Sequence, residues 1–381
     1  MQTSLYIHIP YCLKKCSYCD FNSAAAQPLP HAEYVRLLIE EMTLRRESLA
    51  GEVSAPTLYF GGGTPSLFSP QLIGSLLEAA ARLFSLETGA EITLEANPGT
   101  LTPEKLAGYR AAGVNRLSLG VQSFEDRLLA RLGRPHSAAE ALLAFEWARA
   151  AGFDNLSIDL MHSLPEQSPA QWRQGLSCAL QLAPEHLSAY GLSVEEGTPF
   201  AVQHALGRLP LPEEEEAALM FEATVELTTA NGYCHYEISN FARPGRESRH
   251  NGVYWRRTSY LGFGAGAHSF LNDDGIGTRW QNEAAVAAWG AALAAGRLPE
   301  EEREALSQEQ AIAESFFLGL RRLDGLDLAS LQARFGEAAL DSRLKEVERL
   351  TWGGSLLRQG SRIRLAPAAV IVANSVFARF L

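Results

Sequence analysis

The chain has 381 residues, 46% of them hydrophobic and 20% charged, with 33 Lys and Arg against 44 Asp and Glu and a formal net charge of −11. That length holds a full core and allows two or three domains, and the composition excludes a disordered or fibrous chain. Net acidity repels phosphate backbones, so nucleic acid is not expected as a partner of the whole molecule, although a small basic pocket is compatible with it.

In chain order, no secretory leader is expected before the first strand, which the apolar run Leu5 to Ile9 predicts. Directly after it, Tyr11-Cys12-Leu13-Lys14-Lys15-Cys16-Ser17-Tyr18-Cys19 places three of the five cysteines within eight residues. An odd, clustered set argues against a disulfide framework and for a reducing cytoplasm. Cys178 and Cys234 read as plain core thiols. A structural zinc usually takes four ligands, so three thiolates imply a borrowed ligand or an open centre. A four-iron, four-sulfur (4Fe-4S) cluster on three thiolates leaves one iron free of protein. A zinc site completed by His8, or plain reduced thiols, are the alternatives.

Five more strands are predicted at Thr57 to Phe60, Glu91 to Glu95, Arg116 to Gln122, Leu156 to Met161 and His186 to Leu192. Helical periodicity lies between them, as at Tyr34, Leu37, Leu38, Glu41 and Met42, and from Ala141 through Ala151. Six strand and helix units predict an α/β parallel sheet with right-handed crossovers, short of the eight that close a barrel: a partial (β/α)6 TIM-like barrel. The chemical motifs fall together at the carboxyl ends of these strands. The cysteine loop follows the first, Gly61-Gly62-Gly63-Thr64-Pro65 the second, Glu95 ends the third, Gln122 the fourth, and Asp159 lies in the fifth. Three residues without Cβ let a ligand approach backbone amides, though a tight turn alone would also explain them.

Farther along, Pro212-Glu213-Glu214-Glu215-Glu216 reads as a solvated helix start. Residues 232 to 283 read as strands and turns, including the glycine-rich Leu261 to His268. Ala311 to Leu320, Leu328 to Phe335 and Leu340 to Leu350 read as helices, and Leu356 to Leu365 as a hairpin, together a small, mainly helical, winged-helix-like module. From Glu301 to Leu381, eleven Lys and Arg balance eleven Asp and Glu, so packing or a lid role is expected there rather than DNA binding. The expected domains are 1–200, 201–299 and 300–381. Ala284 to Gly296 is too short to span a bilayer, and Ala366 to Leu381 is interrupted by Asn374 and Arg379, which leaves peripheral membrane contact at most.

The Cys-x3-Cys-x2-Cys spacing with Tyr18 before the last cysteine resembles the cluster motif of the radical S-adenosylmethionine (SAM) enzymes. The resemblance implies a 4Fe-4S cluster on Cys12, Cys16 and Cys19, with SAM chelated to the open iron and cleaved reductively to a radical. The segments holding Tyr6, Gly62, Gly63, Thr64, Glu95, Gln122, Arg134 and Asp159 resemble the oxygen-independent coproporphyrinogen III oxidases and the related HemW haem chaperones. By that resemblance Tyr6, Tyr18, Gly62 and Glu95 contact one SAM, with Glu95 on the ribose hydroxyls. Gly63, Thr64, Gln122, Arg134 and Asp159 contact a second.

Two features set the chain apart from the oxidases. The first strand begins almost at residue 1, without their N-terminal extension, and Asp20-Phe21 stands where they carry Gly-Cys after the third cysteine. Both features, and His250-Asn251-Gly252-Val253-Tyr254-Trp255, resemble the chaperone branch, which implies that His250 ligates haem. Neutral imidazole suits haem iron, Tyr254 and Trp255 offer flat apolar surface, and Arg246, Arg249, Arg256 and Arg257 could pair with propionates. A histidine beside aromatics is also often structural. The resemblance implies a haem carrier that delivers to acceptors such as respiratory enzymes, leaves a homodimer open, and keeps oxidative decarboxylation of coproporphyrinogen III as the alternative.

Overall fold

The structure, a computed structural model, describes residues 1–25 and 30–381. Its centre is six parallel strands paired in chain order: β1 (Ser4–Ile9), β2 (Ala55–Gly62), β3 (Leu86–Ala96), β4 (Arg116–Gln122), β5 (Leu156–His162) and β6 (His186–Gly191). Helices α1 (His31–Ser48), α2 (Pro70–Phe84), α3 (Pro103–Ala112), α4 (Asp126–Leu132), α5 (Ala138–Ala150) and α6 (Pro169–Gln181) make the crossovers. Three of them start on a Ser-Pro or Thr-Pro pair. The hydroxyls of Ser69, Thr102 and Ser168 accept from the backbone N–H groups of Leu72, Lys105 and Gln171. Each following proline occupies a position whose N–H has no helical partner, and such a cap contributes roughly 1 kcal/mol.

The strands alternate sharply. Leu5, Ile7, Leu58, Phe60, Leu94, Leu117, Leu119, Ile158 and Leu187 enter one apolar core beneath the helices. The residues between them, such as Tyr59, Glu95, Arg116, Ser118, Asp159 and Ser188, line the interior of the partial barrel. Period-two patterning thus separates an outer apolar layer from an inner polar one.

Beyond β6, two short strands, β7 (Cys234–Glu237) and β8 (Asn240–Ala242), add in antiparallel sense, preceded by α7 (Pro199–Ala205) and α8 (Glu214–Ala230). Helix α9 (Arg249–Trp255) follows, and then β9 (Tyr260–Phe263), which lies parallel to β1 on its other side. Strands β10 (His268–Leu271), β11 (Thr278–Asn282) and β12 (Glu300–Ala305) continue antiparallel, with α10 (Val286–Ala294) between the last two. The twelve strands run β12-β11-β10-β9-β1-β2-β3-β4-β5-β6-β8-β7. Strand β9 is a seventh parallel strand, set in the glycine-rich part of a region the sequence reads as strands and turns outside the six-stranded parallel sheet. The glycine just after it serves close packing: a Cβ on Gly264, at φ +102°, would meet the His8 carbonyl oxygen at 2.5 Å. The segment 201–299 supplies Met220, Phe241, Leu261, Trp280 and Trp289 to the core built by the first 200 residues.

Buried Glu41 of α1 ties this flank together. It accepts from the Gly264 amide at 2.8 Å, Asn282 Nδ2 at 2.5 Å and Trp289 Nε1 at 2.9 Å, while burial pushes its carboxyl up to about 7.

The C-terminal module comprises α11 (Gln308–Gly319), β13 (Leu326–Asp327), α12 (Leu328–Phe335), α13 (Glu337–Trp352), β14 (Leu356–Gln359) and β15 (Arg362–Leu365), with sheet order β13-β15-β14. This is the winged-helix arrangement the sequence leads one to expect, around its own core of Ile312, Phe316, Leu331, Leu350 and Ile363. It packs on α9 and its surroundings through Arg321 over the Trp255 ring at 4.6 Å and the Arg257–Glu314 pair at 2.9 Å. Cys178 is half-buried and Cys234, on the sheet edge, is exposed, which corrects the expectation of two core thiols. No helix among the described residues is long and apolar enough to cross a membrane.

Candidate functional site

A cleft of about 370 Å³ opens at the carboxyl ends of the central strands and runs down through the barrel. Its rim is the cysteine loop, pinned by Ser17 N–H to the Leu132 carbonyl and by Phe200 N–H to the Ser17 carbonyl, both at 3.0 Å. Cys12, Cys16 and Cys19 all line the cleft, as do Tyr18, Gly63, Thr64, Glu95, Gln122, Arg134 and Asp159. Ten of the residues singled out in the sequence therefore meet in one place. Tyr6, Gly62 and His250 do not line it.

At the rim, Thr64 Oγ1 donates to Cys12 Sγ at 3.5 Å, and Arg134 bridges Cys16 Sγ at 3.6 Å and the Gly120 carbonyl at 2.7 Å. Arg134 Nε, buried, has no hydrogen-bond partner. A Cβ on Gly63 would meet the Tyr11 carbonyl oxygen at 2.6 Å and Cys12 Sγ at 3.0 Å, so only glycine brings this backbone beside the thiols. At Gly62, φ +112°, a Cβ would meet the His8 ring at 2.6 Å. Gln122 adopts φ +65° where the β4–β5 register shifts. A non-glycine left-handed residue at a strand end marks local strain of the kind found at binding sites.

On the wall, Glu95 accepts from Tyr59 Oη at 2.8 Å and from the Gly62 amide at 3.2 Å. Burial pushes its carboxyl up to about 7, against the pull of these two donors. Asp159 accepts from Ser118 Oγ at 3.0 Å and from Ser157 Oγ at 3.3 Å, and burial raises it as well.

His8 bears on the zinc alternative. Its Nε2 lies 2.8 Å from the Asn22 carbonyl, an acceptor, so Nε2 carries the proton and Nδ1 accepts from Tyr6 Oη at 3.0 Å. Both ring nitrogens are engaged, so His8 would take a metal only by giving up one of these bonds. Among the described residues, no three His, Cys, Asp or Glu side chains converge closely enough to chelate one ion. A cubane asks for something else, since each thiolate binds a different iron and the sulfurs stand apart. The rim loop, with three cleft-facing thiols, a glycine backbone and a donor for each of two sulfurs, fits that group.

His250 lies at the opposite end of the barrel, 1% exposed. Its Nδ1 is 2.7 Å from Thr57 Oγ1, its Nε2 is 3.0 Å from Tyr254 Oη, and its ring stacks on Tyr59 at 5.0 Å. Burial pushes the imidazole down to about 3, so it is neutral. Helix α9, capped by Ser248, closes the amino ends of the strands, and Glu91 of β3 accepts the amides of Arg249 and His250. Asn251, its next residue, reaches the floor of the cleft. The arginines proposed for propionates split up: Arg257 is paired with Glu314, while Arg246, Arg249 and Arg256 lie outside the cleft lining.

Sequence reasoning missed Tyr59, Arg116, Ser118, Ser188, Tyr190 and Asn251, all of which line the cleft. The signal was available in part. Arg116, Ser118, Gly120 and Gln122 occupy alternate positions of one strand, and a polar residue at every second position faces a polar interior.

Comparison with known proteins agrees with this geometry. Residues 6–176 match the radical SAM superfamily and residues 306–372 match the HemN C-terminal domain. A protein of Bacillus subtilis (strain 168) called "Heme chaperone HemW" is 38% identical over 380 residues, spanning 99% of each chain. The protein of that name from Escherichia coli (strain K12) is 43% identical over 266 residues, 70% of this chain and 69% of its own. The structure of E. coli coproporphyrinogen III oxidase (HemN), a radical SAM enzyme, superposes with a TM-score of 0.86 at 25% identity, covering 99% of this chain and 89% of that one.

Proposed function

The chain belongs to the HemW family of radical SAM proteins, and on that premise we propose that it is a cytoplasmic haem chaperone, which binds haem and passes it to acceptors such as respiratory enzymes. The observation that carries the reading is the end-to-end likeness to a protein called a haem chaperone, spanning 99% of both chains.

Cys12, Cys16 and Cys19 would hold a 4Fe-4S cluster at the rim, and SAM would lie against Gly63, Thr64 and Glu95, with Tyr18 beside it; Gly62, whose amide holds Glu95, and Tyr6, bonded to His8, stand behind that wall. When bound, the cluster supplies an electron and an open coordination position for SAM. The chain's own residues do the rest. Glu95, ionised, accepts from paired hydroxyls. Gln122, Arg134 and Asp159 surround the cleft with donors and acceptors for the same ligand or a second SAM. Arg134 also neutralises thiolate charge at Cys16, consistent with its 3.6 Å contact.

Haem iron would be taken by neutral His250. Both ring nitrogens are engaged, so ligation would exchange the Tyr254 or Thr57 bond for iron. Such exchangeable ligation suits a carrier. The likeness to HemN favours a second reading, an enzyme that oxidatively decarboxylates coproporphyrinogen III.

One experiment tests both. After anaerobic reconstitution with iron and sulfide, the protein should turn brown, and titration with haem should give a saturable spectrum that changes in His250→Ala. Identical wild-type and variant spectra remove His250 as the ligand. Protoporphyrinogen formed from coproporphyrinogen III overturns the chaperone reading, and a colourless protein carrying one zinc overturns both.

A further inference from the structure

We propose that Arg116 is a carboxylate receptor at the floor of the cleft, and that the acid it takes belongs to the ligand bound there: a porphyrin propionate or the amino-acid carboxylate of a second SAM, not the one chelated at the rim. The inference rests on the haem and SAM reading above and adds a recognition residue to it.

Arg116 opens β4 at the end of the barrel opposite the cysteine loop. It is 2% exposed, yet it lines the cleft together with Ser118, Ser188 and Asn251. Its Nε is buried without a hydrogen-bond partner, and among the described residues no carboxylate stands within ion-pair distance of its guanidinium. The other two arginines as deeply buried are paired. Arg45, 4% exposed, meets Glu300 at 2.6 Å, and Arg257, 3% exposed, meets Glu314 at 2.9 Å. A guanidinium withdrawn from water without a counter-charge in contact is costly to the fold, and such a group is kept where a ligand completes it.

The nearby acids do not complete it. Glu95 accepts from Tyr59 and Gly62, and Asp159 accepts from Ser118 and Ser157. Their charges balance the cleft at longer range, while the guanidinium fork itself is left facing the cavity. That planar fork matches a carboxylate through two parallel N–H donors, and Asn251, Ser118 and Ser188 line the same space.

The reconstituted full chain and its Arg116→Met and Arg116→Lys variants test this with two acid and neutral pairs: haem against its dimethyl ester, and SAM against decarboxylated SAM. The wild type should bind one acid about tenfold or more tighter than its neutral partner. Arg116→Met should lose that discrimination and Arg116→Lys should restore part of it, and the affected pair names the source of the carboxylate. The ligand-free Arg116→Met protein should melt at or above the wild-type temperature, because an unpaired charge has been removed. Unchanged discrimination, or a ligand-free variant that melts several degrees lower, overturns the proposal and makes Arg116 a structural counter-charge. A wild-type chain that binds neither haem nor SAM fails the reading above instead, and the ligand-free melting comparison still judges Arg116.

Discussion

The two ends of the barrel interior are built on opposite principles. At the carboxyl ends, Cys12, Cys16, Cys19, Gly63, Thr64 and Arg134 surround open space and keep bonding capacity in reserve. At the amino ends, α9 lies across the opening with its first amides on Glu91, His250 held between Thr57 and Tyr254, and His186 between Ser157 and Tyr236. One end is prepared to receive a ligand and the other is latched. Tyr59 spans them, with its hydroxyl on Glu95 and its ring on His250. A ligand that withdraws Glu95 from Tyr59 therefore acts on the packing of His250 directly.

The sharpest way to break this contrast is at the rim. Cys16→Ala should abolish the iron–sulfur absorbance of the reconstituted protein while leaving the far-ultraviolet spectrum and haem titration intact. Loss of haem binding as well would mean that the two ends are not separable. Next comes the latch. Glu91→Ala leaves the buried His250 amide unpaired, at about 1–3 kcal/mol, and frees the part-buried Arg249 amide, and should lower the denaturant midpoint while speeding haem uptake. Uptake at the wild-type rate would show that α9 does not gate His250. Replacing His250 itself with alanine strips one partner each from the Thr57 and Tyr254 hydroxyls, and a cost of about 1–2 kcal/mol is expected by chemical denaturation.

The finest test is Tyr59→Phe. Glu95 is held at about 7, above its usual 4.5, so the folded chain binds that proton more tightly than the unfolded one. Its contribution to stability is full below about 4.5 and is lost as pH rises through 7. SAM binding to the carboxylate runs the other way and strengthens as pH rises through 7. Removing the Tyr59 donor should move that midpoint upward by about half a unit to one unit. A titration of SAM affinity that does not shift would show that the hydroxyl leaves the carboxylate unperturbed.

Much of the rim was legible because its chemistry is local. Three thiols in eight residues, a glycine run after a strand and a carboxylate at a strand end each announce themselves along the chain. The winged-helix module was legible for the same reason, since helix and hairpin periodicities follow one another without long-range pairing. The floor was not, because Thr57, Glu91, Arg116 and His250 meet only through the register of β2, β3 and β4 and the return of α9 beneath them. The place of β9 in the parallel sheet was missed on similar grounds. Four residues that include Gly262 carry little strand signal, and their pairing with β1 is decided by the tertiary fit of Gly264 against His8.

That pairing sets an order of events during synthesis. Strand β1, Ser4–Ile9, is bordered on one side by Ala55–Gly62 and on the other by Tyr260–Phe263, so one flank waits for a partner made much later in the chain. Until then a hydrogen-bonding edge stands bare beside the cysteine loop, the kind of surface that recruits foreign strands or a nascent-chain chaperone.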